Sequence, residues 1–315
     1  MSSEYGIILV VLMFVSGIVW LMDALTAGKK RKEALVQLYE RMPNPPQETI
    51  DSVAQEPIYV DYASSFFPIL LFIVVLRSFL WEPFQIPSAS MKPTLTEGDF
   101  ILVNKFDYGL RLPINSKKVI DIGLPQRGDV AVFRAPDTGE DYIKRVVGLP
   151  GDKVVYTKEK ELYIYPFCAA DVPKNECPKE MHIIKTPVAG PGYIDKGPNS
   201  SLGLINTEYV EDLGGVKHGI LNNPNRPHRS HQGLYEDLIF LVPERKYFVM
   251  GDNRDNSTDS RYWDTTNYVP EESLVGHAVS IWIHFEFGMT GESFHGFPLG
   301  WIPTGVDFSR VGSIK

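Results

Sequence analysis

Three stretches of the chain carry residues whose types and spacing can do chemistry. The first, Phe84-Gln-Ile-Pro-Ser-Ala-Ser-Met-Lys-Pro-Thr-Leu95, sets Ser88 and Ser90 two apart between Pro87 and Pro93. The prolines fix φ and remove backbone donors, so the segment reads as an extended piece with a tight turn, not a helix interior. A serine hydroxyl is a poor nucleophile until a base takes its proton. No G-x-S-x-G elbow occurs, which leaves serine with a lysine base as the variant to consider.

Lys144 sits in the second stretch, Tyr142-Ile-Lys-Arg-Val-Val147, an apolar strand closed by the turn Gly148-Leu-Pro-Gly-Asp152. Strand alternation turns one of Lys144 and Arg145 inward. Arginine, essentially never deprotonated, is expected to be the one that stays in water. A lysine with its ordinary pKa of ~10.4 is almost wholly charged at pH 8, so a base role requires burial, at ~1.4 kcal/mol per pKa unit. Lys92 is the rival base, close to Ser90, but between Met91 and Pro93 it reads as an exposed turn residue. The third stretch is Met250-Gly-Asp-Asn-Arg-Asp-Asn-Ser-Thr-Asp-Ser-Arg-Tyr-Trp263. It fails as a calcium loop, because counting from Asp252 puts Arg254 at a ligand position and Ser257 where glycine is required. It reads instead as a polar network able to hold a neighbouring amine.

The elements that must position these residues include two apolar runs. Residues 7–22 are broken only by Ser16 and Gly17, and with their flanks reach the ~20 residues that cross a ~30 Å hydrocarbon layer. The flank before the run, Met-Ser-Ser-Glu, has no Lys or Arg, so it reads as an anchor and not as a cleaved export signal. Lys29-Lys-Arg-Lys32 follows, which assigns the next loop to the cytoplasmic side, and Pro43-Asn-Pro-Pro46 ends any helix there. A second run covers 62–81, with Arg77 and Trp81 at its end. Two crossings put everything from Glu82 onward outside the inner membrane. Cys168 and Cys177 enclose a short loop that can close as a disulfide in such an oxidising compartment, or remain as free thiols. No cysteine or histidine spacing suggests a metal, and the net charge of −8 argues against a nucleic-acid surface.

From Asp99 the pattern is β-rich. Strands are expected over 100–106, 130–133, 142–147, 154–156, 162–165, 238–242, 247–250 and 280–285, separated by Gly and Pro turns. The fold class is therefore mostly β: two N-terminal transmembrane helices, then a β-rich domain. Residues 166–234, rich in Pro, Gly, Asn and His, read as an inserted subdomain, with His182, His218, His228 and His231 as surface residues. The domain limits are 1–27 and 62–81 for the spans, 28–61 for the loop, 82–165 with 235–315 for the β domain, and 166–234 for the insertion.

Together, in this order and behind two spans, the three stretches closely resemble the motifs of bacterial signal peptidase I in its Gram-negative form, a Ser-Lys endopeptidase that cleaves signal peptides from exported preproteins. The resemblance implies Ser90 as nucleophile, Lys144 as general base, and the Ser88 hydroxyl with the Ser90 N–H as oxyanion donors. It further implies that Ser257 orients Lys144 and that Asp259 and Arg261 form a supporting ion pair. Phe84, Ile86, Met91, Leu95, Ile101, Val132, Tyr142 and Ile143 fall where the family lines its substrate pockets, a shallow apolar lining suited to Ala-like side chains. No cofactor or metal is implied. The implied partners are signal-peptide-bearing preproteins, inner-membrane phospholipid and the protein translocation machinery; the implied location is the inner membrane, with the catalytic domain in the periplasm. One departure stands out: Asp264-Thr-Thr-Asn-Tyr268 precedes Val269-Pro270, a longer loop than is usual in the family, which bears on the geometry just after Arg261. Trp81, Phe84, Trp301 and Ile302 are candidates to dip into the membrane interface, with a place in the core the alternative for Trp301.

Overall fold

The computed structural model describes residues 2–111, 118–169, 171–173, 175–190, 192–194, 205–227, 236–287, 293–294, 297–298 and 303–314. His228, His231, Trp301 and Ile302 lie outside the described residues. Residues 2–80 form one compact unit and the described residues from 81 onward the other.

In the first unit, α1 (Ser2–Leu25) and α4 (Ile58–Val75) are apolar along their length, while α2 (Ala27–Arg41) and α3 (Gln47–Ala54) are polar. Val10, Met13 and Val74 are buried between α1 and α4, and Trp20 stacks on Phe67 with ring centroids 5.4 Å apart. Only 11% of each apolar stretch is buried in the protein. A core helix would bury its apolar face, so these side chains suit a hydrocarbon surrounding. Two helices, Gly6–Arg41 and Ile58–Leu80, are long and apolar enough to cross a membrane. Pro57 precedes α4, which begins at Ile58, and Trp81 already belongs to the first strand.

The second unit is built on an antiparallel sheet. Its strands are β1 (Trp81–Gln85), β2 (Asp99–Asn104), β3 (Val130–Arg134), β4 (Asp141–Gly148), β5 (Lys153–Tyr156), β6 (Leu162–Tyr165), β7 (Ile205–Leu213), β8 (Val216–Asn222), β9 (Leu238–Leu241), β10 (Lys246–Met250) and β11 (Leu274–Phe287), with shorter pairs between. The main sheet runs β1-β2-β11-β3-β4-β10. A second sheet runs β9-β5-β6 and ends on Met181–Ile183. β7 and β8 make a hairpin within the 166–234 region.

Both faces of the main sheet are covered. Along β3, Val130 and Val132 pack with Ile86, Met91, Leu95, Ile101 and Ile143, while Ala131 and Phe133 pack with Val146, Val249 and Trp263 on the other face. Side chains buried this way stabilise by ~1.5–3 kcal/mol each, which offsets the desolvation of the ions described below. From Ile143 to Gly148 strand alternation therefore turns nothing on β4 toward water, and that decides where Lys144 and Arg145 go.

Candidate active site

The turn between β1 and β2 carries Ser88 and Ser90. Ser88 is extended, with φ −136° and ψ 157°, and Ala89–Met91 forms one 3-10 turn. The turn is closed by the Ile86 N–H on Asp99 O at 2.8 Å and the Gly98 N–H on Ile86 O at 3.1 Å, and is anchored by the fully buried Met91. Asn253 grips it from below: its N–H donates to Ser90 O and its Nδ2 to Ala89 O, both at 3.1 Å.

β4 brings Lys144 to this turn. Its Nζ lies 2.8 Å from Ser90 Oγ and 2.7 Å from Ile143 O, and the Tyr142 ring lies beneath it with the centroid 5.4 Å away. Lys144 is 4% exposed. Burial pushes its amine down to about 8, against the opposing pull of the Asp259 and Asp252 carboxylates. A substantial fraction is therefore neutral near pH 8, as a proton acceptor requires. Ser88 Oγ lies 3.3 Å from Ser90 Oγ.

Two expectations about cations are corrected. Arg145 does not stay in water: it is 1% exposed. Its Nε and Nη2 donate to Asp252 at 2.8 and 2.7 Å and its Nη1 to Gly128 O at 2.7 Å. A forked guanidinium matched to a carboxylate meets the hydrogen-bonding demand that burial imposes. Lys92 is not exposed either, at 4%; its Nζ lies 2.6 Å from Glu97 Oε2. An amine committed to Glu97 is not placed to serve Ser90, so Lys92 is set aside for a different reason from the one the sequence suggested.

The third stretch forms the floor. Arg261 donates from Nε and Nη2 to Asp259 at 2.9 and 2.8 Å, and both side chains are fully buried. Burial pushes the Asp259 carboxyl up, but Arg261 beside it holds it below the ordinary range. Asp259 also accepts the Gly251 N–H at 2.9 Å. A Cβ on Gly251 would stand 2.3 Å from Ser257 Oγ and 2.5 Å from Ser90 O, so only glycine lets this backbone pass between the two serines. Ser257 is 6% exposed and lies close enough to Asp259 to help keep it ionised, but its Oγ has no well-formed hydrogen bond and makes none to Lys144. The longer loop after Trp263 is tied down by Asn267 Nδ2 on Ser260 O at 2.7 Å and by Asp137, which accepts from the Asp264 and Thr265 amides. The Asp259–Arg261 pair is intact beside it.

Six of the residues expected to line the substrate pockets, Ile86, Met91, Leu95, Ile101, Val132 and Ile143, form one buried cluster with Phe84 packed against it. Tyr142 does not join them; it packs against the cluster on the opposite face of β4 and reaches the site beneath Lys144. Cys168 and Cys177 are joined in a disulfide, Cα atoms 5.4 Å apart. His182 is on the surface with 44% of its side chain exposed, but His218, expected there too, is wholly buried against Glu211 and Asp252. Sequence reasoning also missed the clamp by Asn253 and the Thr94 hydroxyl, which donates to Asp252 at 2.5 Å. Among the described residues no set of three or more His, Cys, Asp or Glu side chains is placed to hold a metal ion.

The chain thus sets a buried lysine against a serine hydroxyl on a β scaffold, and carries two N-terminal helices long and apolar enough to cross a membrane. Residues 59–283 match the family model described as signal peptidase, peptidase S26. The chain belongs to that family and is a peptidase. It is 42% identical over 323 residues to a signal peptidase I of Pseudomonas fluorescens, covering 100% of both chains. To that of Pseudomonas aeruginosa it is 43% identical, covering 90% of this chain and 93% of the other. To that of Haemophilus influenzae it is 32% identical, over 91% and 87%. A crystal structure of a signal peptidase I from Enterococcus faecalis aligns with 50% of this chain and 98% of its own at 25% identity, with a TM-score of 0.24.

Proposed function

We propose that this protein is a membrane-anchored serine endopeptidase that removes N-terminal signal peptides from exported preproteins with a Ser90–Lys144 dyad. The observation that carries the reading is the 2.8 Å approach of Lys144 Nζ to Ser90 Oγ in a site dry enough to bring the amine down to about 8. Neutral Lys144 accepts the Ser90 proton as Oγ attacks the scissile carbonyl. The Ser88 hydroxyl and the Ser90 N–H face the oxyanion that forms, two donors set in place by the proline-bounded turn. As the intermediate collapses, Lys144 passes the proton to the leaving amine, and the mature protein departs. A water then gives its proton to Lys144 and attacks the ester, releasing the signal peptide as a carboxylate and restoring the Ser90 hydroxyl.

The cluster of Ile86, Met91, Leu95, Ile101, Val132 and Ile143, with Phe84 packed against it, offers an apolar lining for Ala-like side chains before the cleaved bond. The Asp259–Arg261 pair holds the third stretch rigid, and Ser257, buried beside Asp259, is the residue assigned to orient the amine. The basic residues Lys29 to Lys32 assign the loop after the first span to the cytoplasm, which sets the catalytic unit in the periplasm. There it meets preproteins delivered by the translocation machinery, with inner-membrane phospholipid around its anchors. Purified full-length protein is expected to cleave a preprotein at its signal-peptide junction. Ser90→Ala and Lys144→Ala should each abolish cleavage while the chain stays folded; cleavage by either variant at the wild-type rate would point to a non-catalytic scaffold.

A further inference from the structure

The β7–β8 hairpin belongs to the region between the two halves of the β domain, yet it reaches the catalytic turn. Its register sets Glu211 opposite His218, and both are buried, at 1% and 5% exposed. Glu211 Oε1 accepts from Arg254 Nη2 at 2.5 Å. His218 Nε2 lies 3.6 Å from the same oxygen and 3.9 Å from Asp252 Oδ1. The backbones join as well: the Leu221 N–H donates to Asp252 O at 2.9 Å, and the Arg254 N–H to Leu221 O at 3.0 Å. Between those two clamped residues sits Asn253, which pairs with Leu221 in an isolated bridge and holds the carbonyls of Ala89 and Ser90. Apolar contacts alone could hold a hairpin in place. A buried ion pair is the costlier choice, and its best-attested use is to fix one register.

We infer that Glu211 is a positioning residue of the peptidase reaction: through Arg254 it locks the hairpin to Asp252-Asn253-Arg254 and so fixes Ser90 against Lys144. The inference rests on the Ser90–Lys144 reading. It makes the hairpin part of the catalytic framework, although none of its side chains meets the reacting atoms.

The test uses the full-length chain in detergent and a purified preprotein, with kcat and KM measured separately. Glu211→Gln keeps shape and an acceptor but removes the charge. With folding verified by an unchanged cooperative melt, kcat is expected to fall about 10- to 100-fold, as small misplacements of reacting groups do, with KM within about twofold of wild type. Glu208→Gln, on the same strand, should match wild type. A folded Glu211→Gln chain with wild-type kcat, or one with raised KM and intact kcat, overturns the proposal; if that variant does not fold, Glu211→Asp is read by the same criteria. In the wild-type chain the amides of Leu221, Asn253 and Arg254 should resist hydrogen exchange together. Rapid exchange at Asn253 beside a protected Leu221 also overturns it. Ser90→Ala runs alongside: if it still cleaves, the dyad reading itself has failed, whereas loss of cleavage there with a normal Glu211→Gln sinks the positioning role alone.

Discussion

Replacing Lys144 by methionine should change stability with a sign that depends on pH. The buried amine has its pKa lowered from 10.5 to about 8, so folding is penalised by about 3 kcal/mol wherever the unfolded lysine is charged and the folded one must be. Between these two values the unfolded chain binds the more protons, and wild-type stability rises with pH; below about 8 the penalty is fully present. Methionine removes the penalty but also loses the contacts with Ser90 Oγ and Ile143 O, about 1 kcal/mol each. The variant should therefore be more stable than wild type by about 1 kcal/mol at pH 7 and less stable by about 2 kcal/mol above pH 10.5. Urea unfolding of both chains in the same detergent, at closely spaced pH values, measures the difference. A difference that does not move between pH 7 and pH 10.5 would refute the reasoning, because the amine would then have an ordinary pKa in the folded protein.

Arg145→Met strands the Asp252 carboxylate, which is 1% exposed, and should cost about 3–5 kcal/mol in denaturant unfolding; adding Asp252→Asn should recover most of it, and a single-variant loss below about 1 kcal/mol would mean that Asp252 has found another cation. Ser88→Ala should lower kcat by about 100- to 1,000-fold with KM little changed; a normal kcat would remove Ser88 from the oxyanion site.

Some of this was legible in the sequence because it follows from local pattern. The strands around Val130 and Lys144 show as apolar runs between Gly and Pro turns, and the Pro-bounded serines announce a constrained turn. What stayed hidden depends on contacts between distant segments. Alternation cannot separate Lys144 from Arg145 when both faces of the sheet are covered; the partner that lets Arg145 be buried is Asp252, far along the chain. The same holds for His218, whose neighbours Glu211 and Asp252 leave no trace in histidine spacing. Trp81 merges into the apolar run before it, so the first strand is visible only once Asp99–Asn104 pairs with it. Lys92 was misjudged because a turn lysine is normally solvated, and Glu97 lies too close in sequence to stand out.

The most direct measurement is the pH dependence of kcat/KM for preprotein cleavage by the full-length enzyme, which reports the free enzyme's essential base. The rate should rise about tenfold per pH unit and level off through one ionisation near 8, and Lys144→Arg should be inactive at every pH. An essential base titrating well below 8 that vanishes on His218→Gln, or a Lys144→Arg enzyme with wild-type rate, would contradict Lys144 as the group that takes the proton.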